Sequence, residues 1–128
     1  MDWVFLIGRL VFGLFFVLNG INHFAQLRGM SAYAASKGVP APQAAVIVTG
    51  LLLLLGGLSI ATGYQPVVGA VLLVVFLVPV AFIMHNFWAE TDPMSRANQM
   101  AHFLKNLALA GAALALMYVP TPWPLSLG

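Results

Sequence analysis

Polar side chains with acid–base and hydrogen-bonding chemistry fall into three short groups along an otherwise apolar chain. In the first and last groups the members recur at spacings of three and four residues, which places them on one face of a helix. Polar groups inside a membrane span are costly, so they indicate a functional site by default. The groups consist of Asn19, Asn22, His23, His85, Asn86, His102, Lys105 and Asn106.

These groups predict one polar pocket, because all of them lie toward the same side of the predicted helices. Imidazole, ammonium and amide groups together can bind an anion, a polar head group or the ring oxygens of a quinone. The alternative is a structural network in which Asn19 and Asn22 form hydrogen bonds between helices, worth about 0.6 kcal/mol each. In that network Lys105 extends to the surface.

A haem or metal site is the less favoured interpretation of His85 and His102. A metal site needs ligands in a defined geometry with supporting groups around them. No spacing in the chain is diagnostic of such a set, so the sequence predicts no metal ligand.

Arg9 stands apart from these groups, near the opposite end of the first predicted helix. The favoured interpretation is that its side chain extends along the helix to the membrane surface. Pairing with Asp2 or with a ligand is the alternative.

The composition indicates which solvent surrounds these groups. Of the 128 residues, 62% are hydrophobic and 6% are charged, whereas a soluble domain carries about 25% charged residues. The chain therefore predicts an integral membrane protein with the lipid bilayer around it. It has no cysteine, which excludes disulfides, thiolate metal sites and thiol redox catalysis. A net charge of +2 gives no indication of nucleic-acid binding.

Four apolar segments have the length of about 20 residues that a membrane-spanning helix needs. They cover about residues 3–23, 42–63, 66–87 and 98–119. The fold class predicted is therefore all-α, a bundle of four transmembrane helices in a single domain over residues 1–128. The first connection has room for a short interfacial helix over about residues 30–37, with an irregular loop as the alternative. Asp92-Pro93 is interpreted as an interruption of the third connection.

Small residues predict where these helices pack, because they let helix backbones approach closely in lipid. One such set on the second helix is Gly50, Gly57 and Ala61, and another on the fourth is Ala108, Gly111, Ala112 and Ala115.

The basic residues predict the orientation. Arg28, Lys37 and Arg96 lie in the two long connections, and Lys105 lies near the same side. The positive-inside rule then places the long connections in the cytoplasm and both termini outside.

Several motifs carry a resemblance to a known family. They are residues 8–13 with Asn19-Gly20-Ile21, residues 37–40, residues 56–63, residues 85–88 and residues 99–106. The chain resembles the DoxX family of small membrane proteins over most of its length. The resemblance implies a four-helix bundle in a bacterial cytoplasmic (inner) membrane and a link to redox physiology. Relatives include a subunit of thiosulfate:quinone oxidoreductase and proteins linked to membrane complexes that handle oxidative and thiol stress.

One feature departs from the family pattern. Many relatives carry an acidic residue in the second helix just ahead of the Gly-Gly pair, where this chain has residues 51–55, all leucine. If that carboxylate is catalytic elsewhere in the family, this chain lacks the activity.

Three functions follow as hypotheses. The first is a membrane-embedded accessory or subunit of redox metabolism, at most an oxidoreductase subunit, that binds a quinone or similar small ligand and meets a partner oxidoreductase. The second is a non-catalytic scaffold or assembly protein for another membrane protein. The third is a small transporter, with several copies of the chain in a homo-oligomer as one form of it. The sequence has no P-loop or dinucleotide fingerprint and no carboxylate within a predicted span, which disfavours a carboxylate proton relay.

Overall fold

The computed structural model describes all residues, Met1–Gly128, as helices joined by short turns. The α-helices are α1 (Asp2–Ala25), α2 (Leu27–Ser36), α3 (Pro42–Thr62), α4 (Pro66–Met84) and α5 (Pro93–Leu116), and a 3-10 turn covers Phe87–Ala89. Three stretches are long and apolar enough to cross a membrane, namely Asp2–Ala25, Pro42–Thr62 and Pro66–Ala89. The prediction of an all-helical chain is confirmed.

The start of α5 corrects the sequence analysis. The helix begins at Pro93 rather than near residue 98, because Asp92 caps it. The Asp92 carboxylate accepts a hydrogen bond of 2.9 Å from the Ser95 amide, and Pro93 occupies the first helical position, where its missing N–H costs nothing. The interpretation of Asp92-Pro93 as an interruption was wrong; the pair is a helix start.

The first connection is helical rather than irregular. Helix α2 follows α1 after the single residue Gln26 and ends at Ser36. Its start lies a few residues before the predicted position, and Ala34 is its buried residue. The short helix lies against α3 and covers one end of the bundle.

The long helices pack as a series in which α1 contacts α3, α3 contacts α4 and α4 contacts α5. The two ends of this series, α1 and α5, do not pack closely backbone to backbone. A core runs along the series and its largest fully buried side chains are Phe16, Leu53, Ile60, Leu73 and Leu77. The arrangement leaves a space between α1 and α5 on the side where α2 lies.

Small residues behave differently on the two helices where packing was predicted. On α3 the prediction is confirmed, since Gly50, Gly57 and Ala61 are buried. On α5 it is wrong: the predicted stripe is exposed, and a Cβ on Gly111 would meet nothing within 4 Å. The buried residues of α5 are instead Asn106, Ala110 and Ala113.

The tail after α5 folds back over the far end of the bundle. Trp123 is 2% exposed, and its ring meets the ring of Phe5 edge to face with centroids 5.0 Å apart. The Leu127 amide donates a hydrogen bond of 2.9 Å to the Thr62 carbonyl at the end of α3. The tail therefore closes the end of the bundle opposite α2.

Candidate functional site

A cavity of about 760 Å³ lies between the helices on the side covered by α2. Its volume falls within the range of about 300–1,000 Å³ that is usual for small-molecule sites. Most of the predicted site residues line it, namely Asn19, His23, His85, His102, Lys105 and Asn106. The deep wall is apolar and includes Phe16, Leu53 and Leu77. The cavity is thus polar at one end and apolar at the other.

The imidazole of His23 is held in one orientation by the backbone of α3. Its Nδ1 lies 3.0 Å from the Val46 carbonyl oxygen, which only accepts hydrogen bonds, so Nδ1 is the donor. The Thr49 hydroxyl donates to the Ala45 carbonyl at 2.7 Å and its oxygen lies 3.2 Å from the same Nδ1. In the neutral ring Nε2 is therefore an acceptor, with no protein donor bonded to it.

Asn106 is the most buried polar group of the cavity. It is 4% exposed, yet its amide forms no hydrogen bond with another protein group. Its amide atoms open onto the cavity rather than being sealed within the protein, so water or a ligand there can pair with them. Because Asn106 lines the cavity, its amide offers two donors and an acceptor to a ligand there.

A chain of hydrogen bonds fixes His85 at the mouth of the cavity toward α2. The Tyr33 hydroxyl donates to the Met84 carbonyl at 3.2 Å, and the Gln99 Nε2 donates to the Tyr33 oxygen at 2.5 Å. This leaves the Gln99 Oε1 to accept from His85 Nδ1 at 2.9 Å. His85 is therefore a second ring whose neutral form presents Nε2 as an acceptor.

His85 and His102 lie face to face. Their ring centroids are 5.0 Å apart and their planes differ by 24°. Two ligands of one metal ion must direct nitrogen atoms at the same point, about 2.0–2.1 Å away for zinc. Stacked rings instead direct their faces at each other, which does not suit two ligands of one metal ion. The ring pair forms a partition between the cavity and a second space.

The second space is a polar vestibule of about 640 Å³ on the outer side of that partition. It shares Tyr33, His85 and His102 with the cavity. Lys37 and Glu90 line it and form an ion pair of 3.6 Å. The vestibule is thus the water side of the site.

Two predicted site residues do not line the cavity. Asn86 accepts a hydrogen bond of 2.8 Å from Lys37 Nζ, so its amide supports the connection between α4 and α5. Asn22 lies half-buried on α1, and its backbone carbonyl accepts the Gln26 amide at the end of the helix. The spacing on α1 correctly joined Asn19 to His23, but Asn22 lies to one side of that face.

Lys105 lies at the rim between α1 and α5. Its Nζ is 5.8 Å from the centroid of the Phe15 ring, and it forms no ion pair with a carboxylate. An ammonium over an aromatic face is attracted by about 0.5–1 kcal/mol when exposed, which leaves its donors free for a ligand.

Arg9 corrects the sequence analysis, because its side chain does not extend to the surface. It is 2% exposed and its guanidinium donates to the carbonyls of Pro124, at 2.5 Å, and Leu125. The rings of Phe5 and Trp123 lie 5.5 and 5.8 Å from its central carbon. Pairing with Asp2 is absent, so Arg9 anchors the tail rather than the site.

Sequence reasoning missed Tyr33, Thr49 and Gln99 as members of the site. A signal for Gln99 was available, because it precedes His102 by three residues and so continues the spacing on α5. Tyr33 and Thr49 had no such signal, since they reach the site only through the packing of α2 and α3.

Comparisons with known proteins show which family the chain belongs to. The DoxX family model matches residues 4–86. The chain belongs to the DoxX family. It is 31% identical over 122 residues to the inner membrane protein YphA of Escherichia coli (strain K12), covering 95% of this chain and 86% of that relative. No solved structure matches the chain.

The region matched by the DoxX family model includes only part of the candidate site. The matched region ends at Asn86, so it includes α1, α3 and α4 but not His102, Lys105 and Asn106 on α5. The match to YphA extends over nearly the whole of this chain. Together with the apolar helices, these similarities support a multi-pass protein of a bacterial inner membrane.

Proposed function

We propose that the chain is a membrane-embedded accessory or subunit of redox metabolism that binds the ring of a quinone in the cavity. The observation that carries the proposal is Asn106, a buried amide without a protein partner that lines a cavity of ligand size. No protein group bonds to the Asn106 amide, so its hydrogen bonds are open to whatever occupies the cavity. A bound polar ring can supply their partners.

The groups around Asn106 suit both redox forms of a quinone. The carbonyl oxygens of the oxidised ring accept hydrogen bonds from Lys105 and Asn106. The hydroxyls of the reduced ring donate to the Nε2 atoms of His23 and His85, whose Nδ1 atoms are already bonded. The electrons that interconvert the two forms come, in this proposal, from a partner oxidoreductase in the membrane.

The proposal includes a placement in the bilayer. Helix α5 has 24 residues, enough to serve as a fourth span beside the three apolar stretches, and residues 1–128 form one domain. Helix α2 lies at the interface, over the mouth of the cavity. The long connections, which carry Arg28, Lys37 and Arg96, face the cytoplasm, and both termini face outward.

Native mass spectrometry tests the proposal. The purified protein is incubated with a decyl-substituted benzoquinone, or with decylbenzene, which has the same tail but no ring oxygens. We expect one quinone per chain and no decylbenzene. Combined substitution of His85, His102 and Lys105 by Ala removes the quinone adduct, whereas Asn22→Ala, outside the cavity, retains it.

The absence of a quinone adduct with the unsubstituted protein would overturn the proposal. The second candidate, a non-catalytic scaffold, would then replace it. The specific observation behind that candidate is the exposed stripe of Ala108, Gly111, Ala112 and Ala115 on α5, because small residues allow close approach of a neighbouring helix. A scaffold tolerates the triple Ala variant in cells but fails when Gly111 becomes bulky.

A further inference from the structure

The cavity has a side opening between α1 and α5. Phe15 on α1 and Lys105 on α5 both line the cavity and are exposed, so they form its rim. Asn19 and Leu109 lie next to them and are half-buried. Because the backbones of these two helices do not pack closely, only side chains separate the cavity from the surrounding lipid here.

The floor and the water side of the cavity are built differently. Toward the middle of the bundle the floor is made of Phe16, Leu53 and Leu77, each at most 1% exposed. Toward water, the bonded chain of Tyr33, Gln99 and His85 separates the cavity from the vestibule. The side opening therefore offers a long apolar tail on a bound ring a direct path into lipid.

We infer that the side opening admits a single-tailed amphiphile from the bilayer, polar head first, and that its tail remains between α1 and α5. The head reaches His23, His85 and Asn106, while Phe15 and Leu109 contact the first part of the tail. This inference rests on the proposed quinone site, and it specifies the ligand class as a membrane-dissolved molecule with one chain. The vestibule then supplies water and protons only.

The chain has no native cysteine, so a single introduced thiol can narrow the side opening. Phe15→Cys places the thiol on the rim, and a membrane-permeant maleimide adds bulk there. Leu14→Cys is the matched control, because Leu14 is 47% exposed on the same helix but does not line the cavity. Leu109→Cys provides a second rim position if Phe15→Cys does not fold.

The protein is reconstituted in phosphatidylethanolamine–phosphatidylglycerol vesicles, and the decyl-substituted benzoquinone is added through the lipid. Native mass spectrometry follows the quinone adduct with time. We expect the rim adduct to slow loading about tenfold relative to the unlabelled variant, which corresponds to about 1.4 kcal/mol in the barrier. Labelling after loading should slow release similarly, and the Leu14 adduct should change neither rate.

The outcomes separate this inference from the proposed function. If the unlabelled protein binds no quinone, the proposed function fails. If it binds quinone but rim adducts at positions 15 and 109 leave loading and release unchanged, the quinone site stands and the side opening is overturned as its route. If the Leu14 adduct slows loading equally, the effect belongs to the helix surface and the inference is again overturned.

Discussion

Gly13 and Gly57 bring the backbones of α1 and α3 so close together that a Cβ atom on either glycine would lie 2.6 Å from the carbonyl oxygen of the other. No flexible side chain can move away at this contact, because the obstructing atoms belong to two backbones. The contact sets the position of α1, and with it the positions of Asn19 and His23 in the cavity wall.

Gly57→Ala is therefore expected to destabilise the protein by about 1–3 kcal/mol through overpacking. Gly111→Ala is the matched control, since its added Cβ meets nothing within 4 Å. Thermal unfolding in mild detergent, followed by circular dichroism, measures both changes. Equal effects of the two substitutions would show that the α1–α3 contact does not limit stability.

Asn106→Leu should weaken quinone binding and leave the ligand-free protein folded. The change replaces an amide on the cavity wall by an apolar side chain of similar size, and it deletes the proposed hydrogen bonds to the ligand. Thermal unfolding and titration with the decyl-substituted benzoquinone measure the two effects. Asn22→Leu should leave the affinity unchanged, and unchanged affinity in both variants would remove Asn106 from the site.

Arg9→Met should release the C-terminal tail. Hydrogen bonds to charged groups contribute about 1.5–3 kcal/mol, and the guanidinium is bonded to the carbonyls of Pro124 and Leu125. In a background with Trp3→Phe and Trp88→Phe, the fluorescence of Trp123 should shift to longer wavelength as its ring becomes exposed. The control Arg28→Met should produce no shift, because Arg28 lies exposed on α2.

Gln99→Leu should remove the tautomer preference of His85. The Gln99 Oε1 is the acceptor for His85 Nδ1 at 2.9 Å, and without it neither tautomer is favoured by that bond. Nitrogen chemical shifts of the labelled histidine ring report the change. Asn98→Leu is the control, because Asn98 lines the vestibule but forms no bond to the ring, and an unchanged spectrum in both variants would contradict the assigned chain of hydrogen bonds.

Part of the site could be predicted from helix spacing, and part depended on tertiary packing. Spacing on single helices correctly joined Asn19 to His23 and His102 to Asn106, because a helix repeats every 3.6 residues wherever it is placed. The same spacing could not show that Asn22 lies outside the cavity. Nor could it show that Lys37, distant in sequence, bonds to Asn86 instead of leaving that amide to the site.

The sequence by itself determined that the chain is helical and apolar enough for a membrane, approximately where α1, α3 and α4 lie, and that most of the polar groups gather toward one end of the helices. These properties depend on composition and local periodicity, which act within each helix. Only the tertiary structure decided that Arg9 holds the tail, that the small residues of α5 face outward, and that Tyr33 and Gln99 complete the site. Those outcomes depend on which helices become neighbours, and burial and hydrogen bonding between distant segments settle that choice.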